Sequence, residues 1–326
     1  MKNRRKPARG TKAVDIHAHF FPQSYLDVVA AEGGRFGAEY SVTADGFWMK
    51  SPAGVNAAPV GITDLKTRIA GMDKQGVAVQ ALSLTAPMAY WADADVNARL
   101  ARAWNDGASA AHRQYPDRLV GLITLPMLDP DRAIDELQRA AALPGMRGVY
   151  LGTNVAGRDL DDPLFAPVFA RIEALGLPVF LHPIQTVGGA RTKSFYLANL
   201  LGNPYDTGLA ACHLVFGGVM DRHPRLRINL PHAGGTFPFL IGRIDRGWKV
   251  RLETRHLPEA PSRYLRRFTY DTIGHSKKIL QYLVAEVGAD RVMLGSDYCY
   301  DMGYERPVKI VEELGLKSRD LSLIHI

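Results

Sequence analysis

The chain is 326 residues long, 47% hydrophobic and 22% charged, the composition of a globular protein that buries a core, with nothing near the about 18 unbroken apolar residues of a membrane span. Its formal charge of +7 sits mostly at one end, where Lys2, Arg4, Arg5, Lys6, Arg9 and Lys12 face no acid; the rest is close to neutral, and neither a nucleic acid nor a membrane is an expected partner. Two cysteines, Cys212 and Cys299, exclude a disulfide framework, and with no apolar leader-type run at the N-terminus they predict a reducing cytoplasm.

Residues 1–12, basic and bearing Gly and Pro, are expected as a disordered tail, and 13–326 as a single domain. Short β-branched or aliphatic runs then recur, each followed by helical periodicity, the pattern of repeated βα units. Strands are predicted at 13–20, 77–84, 119–125, 148–151, 178–182, 227–231, 268–272 and 292–295. Helices are predicted at 64–74, 94–115, 131–142, 163–175, 206–221, 237–255, 277–287 and 305–314. Eight such repeats, with no Gly-rich nucleotide loop after the first strand, favour a (β/α)8 TIM barrel over an open doubly wound sheet. The stretch 21–62 is too long for an ordinary βα loop and predicts a small lid-like insertion or β excursion over the barrel mouth, after the first strand. A second irregular stretch, 184–204, follows the fifth strand and starts near the permissive pair Gly188-Gly189.

Chemistry-bearing residues gather where these strands end. In Asp15-Ile16-His17-Ala18-His19 the period-2 alternation of a strand points His17 and His19 to one face, two imidazoles aimed at one place. His182 ends the fifth strand in Leu181-His182-Pro183, His232 follows the sixth in Pro231-His232-Ala233-Gly234-Gly235, and Asp297 follows the eighth in Gly295-Ser296-Asp297. Each motif alone also fits a packing or turn role. In a closed barrel all of them converge on the C-terminal mouth, where they make a three-histidine, one-carboxylate sphere for a divalent metal, with His232 either a ligand or the adjacent acid/base. Cys299, near Asp297 but without a base partner, is read as packing. His112, His213, His223, His256, His275 and His325 are read as structural or solvated.

These motifs resemble the metal-binding motifs of the amidohydrolase superfamily. Together with His19-Phe20-Phe21-Pro22, Met72-Asp73, Gly76-Val77 and Gly242-Arg243-Ile244-Asp245, they resemble its branch of 2-amino-3-carboxymuconate 6-semialdehyde and aromatic-acid decarboxylases. The resemblance implies a homodimer and one divalent metal, zinc by expectation with manganese the alternative. It implies ligands His17, His19, His182 and Asp297, His232 as acid/base, and Arg243 binding a substrate carboxylate across the dimer interface. Dinuclear relatives bridge their metals with a lysine or acid on the fourth strand; Arg147-Gly148-Val149-Tyr150-Leu151-Gly152 supplies neither, so one metal is expected. Two departures stand out. Val55-Asn56-Ala57-Ala58-Pro59-Val60 has no arginine where the aminocarboxymuconate enzymes carry a second carboxylate-binding one, and Leu321-Ser322-Leu323-Ile324-His325-Ile326 departs from the usual Gly-Asn-Ala continuation, which predicts an altered or truncated terminus.

The expected activity is metal-dependent decarboxylation of a small aromatic or unsaturated carboxylic acid, with His232 and Asp297 as catalytic groups. Hydrolysis of a lactone, ester or amide, or hydration of an alkene, could use the same site. A reading from another class is a non-catalytic barrel whose basic tail binds a polyanion.

Overall fold

The computed structural model describes residues 13–44 and 46–324; the tail 1–12, with the disorder expected of it, and His325 lie outside the described residues. In chain order the strands are β1 (Ala13–His19); β2 (Glu39–Val42), β3 (Phe47–Ser51) and β4 (Gly54–Ala58); β5 (Val77–Ser83), β6 (Leu119–Thr124) and β7 (Met146–Gly152); the short pair β8 (Asn154–Val155) and β9 (Arg158–Asp159); then β10 (Val179–His182), β11 (Ile228–Leu230), β12 (Phe268–Asp271) and β13 (Val292–Met293).

Eight of them form one sheet in the order β1-β5-β6-β7-β10-β11-β12-β13, every resolved neighbour parallel. The segment just past β13 then returns to β1: the Ile16 amide donates to the Leu294 carbonyl at 3.0 Å, Asp297 to His17 at 2.9 Å and His19 to Tyr298 at 2.7 Å. These bonds close the sheet into a (β/α)8 barrel. The eighth strand pairs with β12 only as far as Met293; beyond it the Leu294 amide turns to the Ile324 carbonyl and the Gly295 amide to the Thr272 hydroxyl, each at 3.0 Å.

Helices pack outside as their periodicity requires. Over Ala94–Gln114 the buried positions Val96, Leu100, Trp104, Ala108 and Ala111 recur at three to four residues, one apolar stripe against the barrel. Asp93 caps this helix by accepting from the Val96 amide at 2.8 Å, and Trp104 Nε1 donates to the Phe20 carbonyl at 2.9 Å, tying the helix to the end of β1. The single helix expected at 206–221 is two, Asn203–Phe216 and Val219–Arg222. Gly218, at φ 70°, takes the left-handed turn that separates them. The helix expected to reach residue 255 stops at Val250.

Residues 21–62 hold the helix Gln23–Glu32 and the antiparallel sheet β2-β3-β4. Inside this segment Phe21 stacks on Phe47 with ring centres 4.8 Å apart, and it is tied to the segment after β5 where the Asn56 side chain donates to the Ala86 carbonyl and the Tyr25 hydroxyl to the Met88 carbonyl, each at 2.6 Å. A last helix, Ser318–Ile324, seats its end on the barrel, where the Ile324 carbonyl accepts from the Leu294 amide at 3.0 Å.

Candidate active site

His17, His19, His182, His232 and Asp297 come together at the C-terminal end of the barrel. Ring centres lie 4.9 Å apart for His17 and His19 and for His19 and His182, 5.4 Å for His17 and His232 and 5.8 Å for His182 and His232. His17, His19 and Asp297 each place a ligand-type atom within 4.8 Å of the others, and so do His17, His182 and His232.

Hydrogen bonding fixes which nitrogens are free. His17 Nδ1 lies 2.8 Å from Asp271 Oδ2, and His182 Nδ1 lies 2.9 Å from the Pro183 carbonyl; both partners only accept, so both rings carry their proton on Nδ1. The Ser83 hydroxyl donates to the Ala18 carbonyl at 3.0 Å, which leaves its oxygen to accept from His19 Nδ1 at 3.1 Å. The Nε2 atoms of His17 and His19 then face each other at 3.2 Å, with Asp297 Oδ1 3.1 Å from the second. Bare lone pairs and a carboxylate turned on one point repel unless a cation lies among them. The donor set therefore fits a divalent metal, with each imidazole held from behind as metal-ligating histidines usually are.

Electrostatics agree. Burial and the neighbouring imidazoles hold His19 and His182 well below the ordinary histidine range, which keeps their lone pairs available. For His17, burial opposes charge, but the Asp271 and Asp297 carboxylates outweigh it and hold it above that range; the negative field that favours a proton there favours a cation equally. Burial alone would push Asp271 up, yet the His17 contact and its backbone donors bring it below the usual carboxylate value.

Asp271, at the end of β12, both orients His17 and holds the turn that follows β11. Besides His17 it accepts from the amides of His232 at 3.0 Å, Ala233 at 2.8 Å and Ile273 at 3.0 Å. His232 and Ala233 stand at φ 53° and 55°, a left-handed conformation that costs non-glycine residues about 1–3 kcal/mol and clusters at functional sites. The Asp271 carboxylate holds that turn, and with it the His232 ring. Gly235 completes it, since a Cβ there would lie 2.2 Å from the Pro204 carbonyl oxygen.

A profile described as amidohydrolase matches residues 14–317. The chain belongs to the amidohydrolase family. It is 33% identical to a 2-amino-3-carboxymuconate-6-semialdehyde decarboxylase of Dictyostelium discoideum, over 92% of this chain and 85% of that one. A gamma-resorcylate decarboxylase of Rhizobium sp. (strain MTP-10005) is 30% identical over 72% and 76% of the two chains. The crystal structure of 5-carboxyvanillate decarboxylase from Sphingomonas paucimobilis superposes with a TM-score of 0.82 at 27% identity, covering 96% of each chain. These relatives place this amidohydrolase in the decarboxylase branch of the family, as an enzyme of the carboxy-lyase kind.

A cavity of about 240 Å³ opens beside the histidines, walled by His232, Asp297, Asn199, Asn203, Phe239 and His275 among others. His275, read as structural or solvated, is exposed on this wall and outside the candidate ligand groups. Its amide donates to the Tyr304 hydroxyl at 2.7 Å and the two rings lie 5.0 Å apart. Arg243 is exposed on the helix Phe237–Val250 and is not on this wall. The acids near it in sequence are engaged elsewhere, Asp245 with the Ser262 amide and Glu253 with Arg251. Cys299 packs near the Pro59 carbonyl, and burial pushes its thiol up to about 11, away from nucleophilic thiolate.

Sequence reasoning missed the support beneath β1. Arg68 is fully buried, donates to Gln80 at 2.6 Å and to the His19 carbonyl, and stacks 4.8 Å from the Tyr298 ring centre. Gln80 in turn donates to Asp15 at 2.8 Å, and Asp15 accepts the Ser296 amide at 3.0 Å. This buried relay joins the backbone that carries His19 to the backbone that carries Asp297. Also unforeseen were Tyr300, its ring 5.4 Å from His19 and its hydroxyl donating to Asn56 at 2.7 Å, and Tyr150.

Proposed function

We propose that this amidohydrolase is a metal-dependent carboxy-lyase of an aromatic or unsaturated carboxylic acid, working in one barrel domain through a mononuclear site with His17, His19, His182 and Asp297 as ligands. The convergence of imidazole Nε2 atoms and the Asp297 carboxylate on one point carries the reading, and the decarboxylase relatives support the reaction. Zinc is the metal we expect, since imidazoles outnumber carboxylates in the set; manganese is the alternative.

A divalent cation held by His17, His19, His182 and Asp297 would supply positive charge to the substrate carboxylate and an adjacent oxygen. His232, on the cavity wall with Nδ1 free of partners among the described residues, gives a proton to the carbon that bears the carboxylate. The carbon–carbon bond then breaks, its electron pair returns to the unsaturated system, CO2 departs, and His232 takes a proton back from solvent. Asp297, pushed up by burial, is the second proton-handling group.

Arg243 is proposed to reach the site of a second copy in a homodimer. Its helix and the turn after it expose Phe239, Leu240, Val250 and Leu252, an apolar face suited to self-association. Cytoplasmic residence is proposed from the two free thiols. No helix among the described residues is long and apolar enough to cross a membrane.

The test is incubation with hydroxybenzoates and lactones, reading CO2 against titratable acid, with metal analysis of the same protein. CO2 release that a chelator abolishes and a divalent metal restores is the expected result. Full activity in a His17→Ala, His19→Ala double variant, or acid release without CO2, would overturn it.

A further inference from the structure

Tyr150 is one of the largest fully buried side chains in the molecule, and its hydroxyl, though near Ser83, meets no partner in hydrogen-bond geometry among the described residues; the Ser83 hydroxyl is engaged with Ala18 and His19. A buried, unpaired hydroxyl costs about 1–3 kcal/mol, so its retention in a well-packed interior needs a reason.

The surroundings supply one. Tyr150 is on β7, aligned with Phe180 of β10 and Thr124 of β6. By the pleat, Tyr150 shares its face of β7 with Gly148, whose Cβ would meet the Phe180 ring, so this face looks into the barrel. The Tyr150 ring centre lies 5.9 Å from that of His182 and 6.3 Å from that of His19. Tyr300, the other phenol beside His19, has given its proton to Asn56. Tyr150 is therefore the uncommitted phenol donor beside the proposed ligands.

We propose that the Tyr150 hydroxyl is a substrate-binding donor, giving a hydrogen bond to an oxygen of the acid seated at the histidine cluster and helping to select acids with an oxygen next to the carboxylate. This rests on the metal-dependent carboxy-lyase reading, because the cluster must seat the acid for the phenol to reach it. A phenol is protonated at neutral pH and keeps its donor when a carboxylate or phenolate arrives, and a bond to a charged acceptor is the stronger kind.

Tyr150→Phe removes one oxygen and no intramolecular partner, so its thermal midpoint should equal or exceed that of the parent. With both proteins loaded with zinc and carrying His232→Asn, which removes the proposed proton donor and so suppresses turnover, calorimetric titration with benzoate, 2-hydroxybenzoate and 2,6-dihydroxybenzoate reads binding, and elemental analysis reads metal content. The expected result is unchanged metal content, at least tenfold weaker binding of the 2-hydroxy acids, and a smaller loss for benzoate. Equal binding of all probes by both proteins overturns the proposal, as does a variant that loses metal or melts several degrees lower, since the hydroxyl then serves the fold. A parent that takes up metal but binds none of the probes also overturns it. A parent that takes up no metal instead removes the carboxy-lyase reading on which the proposal rests.

Discussion

At the scale of single residues, Asp271 shows how little of a site its presumptive ligands make. It touches no proposed metal position, yet it sets the tautomer of His17 and the backbone of His232 together. Asp271→Asn should therefore lower metal affinity about 10- to 100-fold, the usual loss when a ligand's supporting partner is removed, measured by chelator competition. His232→Asn should keep the metal and lower CO2 release by about 10²- to 10⁴-fold, the range of a lost general acid. Equal metal retention by Asp271→Asn and the parent would show that backbone alone positions His17. The five clustered residues were legible because each ends a strand, and strand ends of a barrel share one mouth. Arg68 was not, because nothing in Thr67-Arg68-Ile69 distinguishes a buried arginine from a solvated one; only its partners Gln80, His19 and Tyr298, distant in sequence, do so.

At the scale of elements, periodicity located the eight barrel strands and most of the helices, but it did not find the breaks. A helical pattern continues through Gly217-Gly218, and apolar content cannot register a left-handed turn. Nor did it resolve β2, β3 and β4 within the predicted excursion, since Phe47-Trp48-Met49 reads as an unbroken apolar run although Trp48 is exposed. Caps, by contrast, were readable: Asp64 starts the helix Leu65–Gln75 and accepts from the Thr67 amide at 2.7 Å. The Thr67 side chain, and then its amide, hold the Asp64 carboxyl below its ordinary value, so the cap's contribution is complete above the unfolded carboxylate pKa of about 3.9 and is lost as pH falls through the lower folded one. Asp64→Ala should cost about 1 kcal/mol at neutral pH, and the difference from the parent should shrink in acid below about pH 4. Denaturant midpoints at pH 7 and pH 3 would check this, and a difference that grows in acid would rule it out.

At the scale of the whole molecule, the metal cluster and the barrel seam are one feature. The sheet closes where β1 meets the segment after β13, through bonds among Ile16, His17, His19, Leu294, Asp297 and Tyr298. His17, His19 and Asp297 are members of that same seam. A cation shared by them adds a link between the two ends of the chain, next to the buried relay of Arg68, Gln80, Asp15 and Ser296. Ligand that binds only the folded state stabilises it by about 2.7 kcal/mol at a hundredfold excess over Kd, so loading should raise the thermal midpoint. It should also act unevenly. Stripping the metal should speed amide exchange at Ile16, His19 and Asp297 well before it does so at Val149 or Val179 on the opposite wall, whose amides bond the Pro178 and Arg227 carbonyls. Hydrogen exchange of the metal-loaded and stripped protein would read this directly. Uniform acceleration around the barrel would mean that the metal stabilises the fold as a whole, with the seam held by its backbone bonds alone.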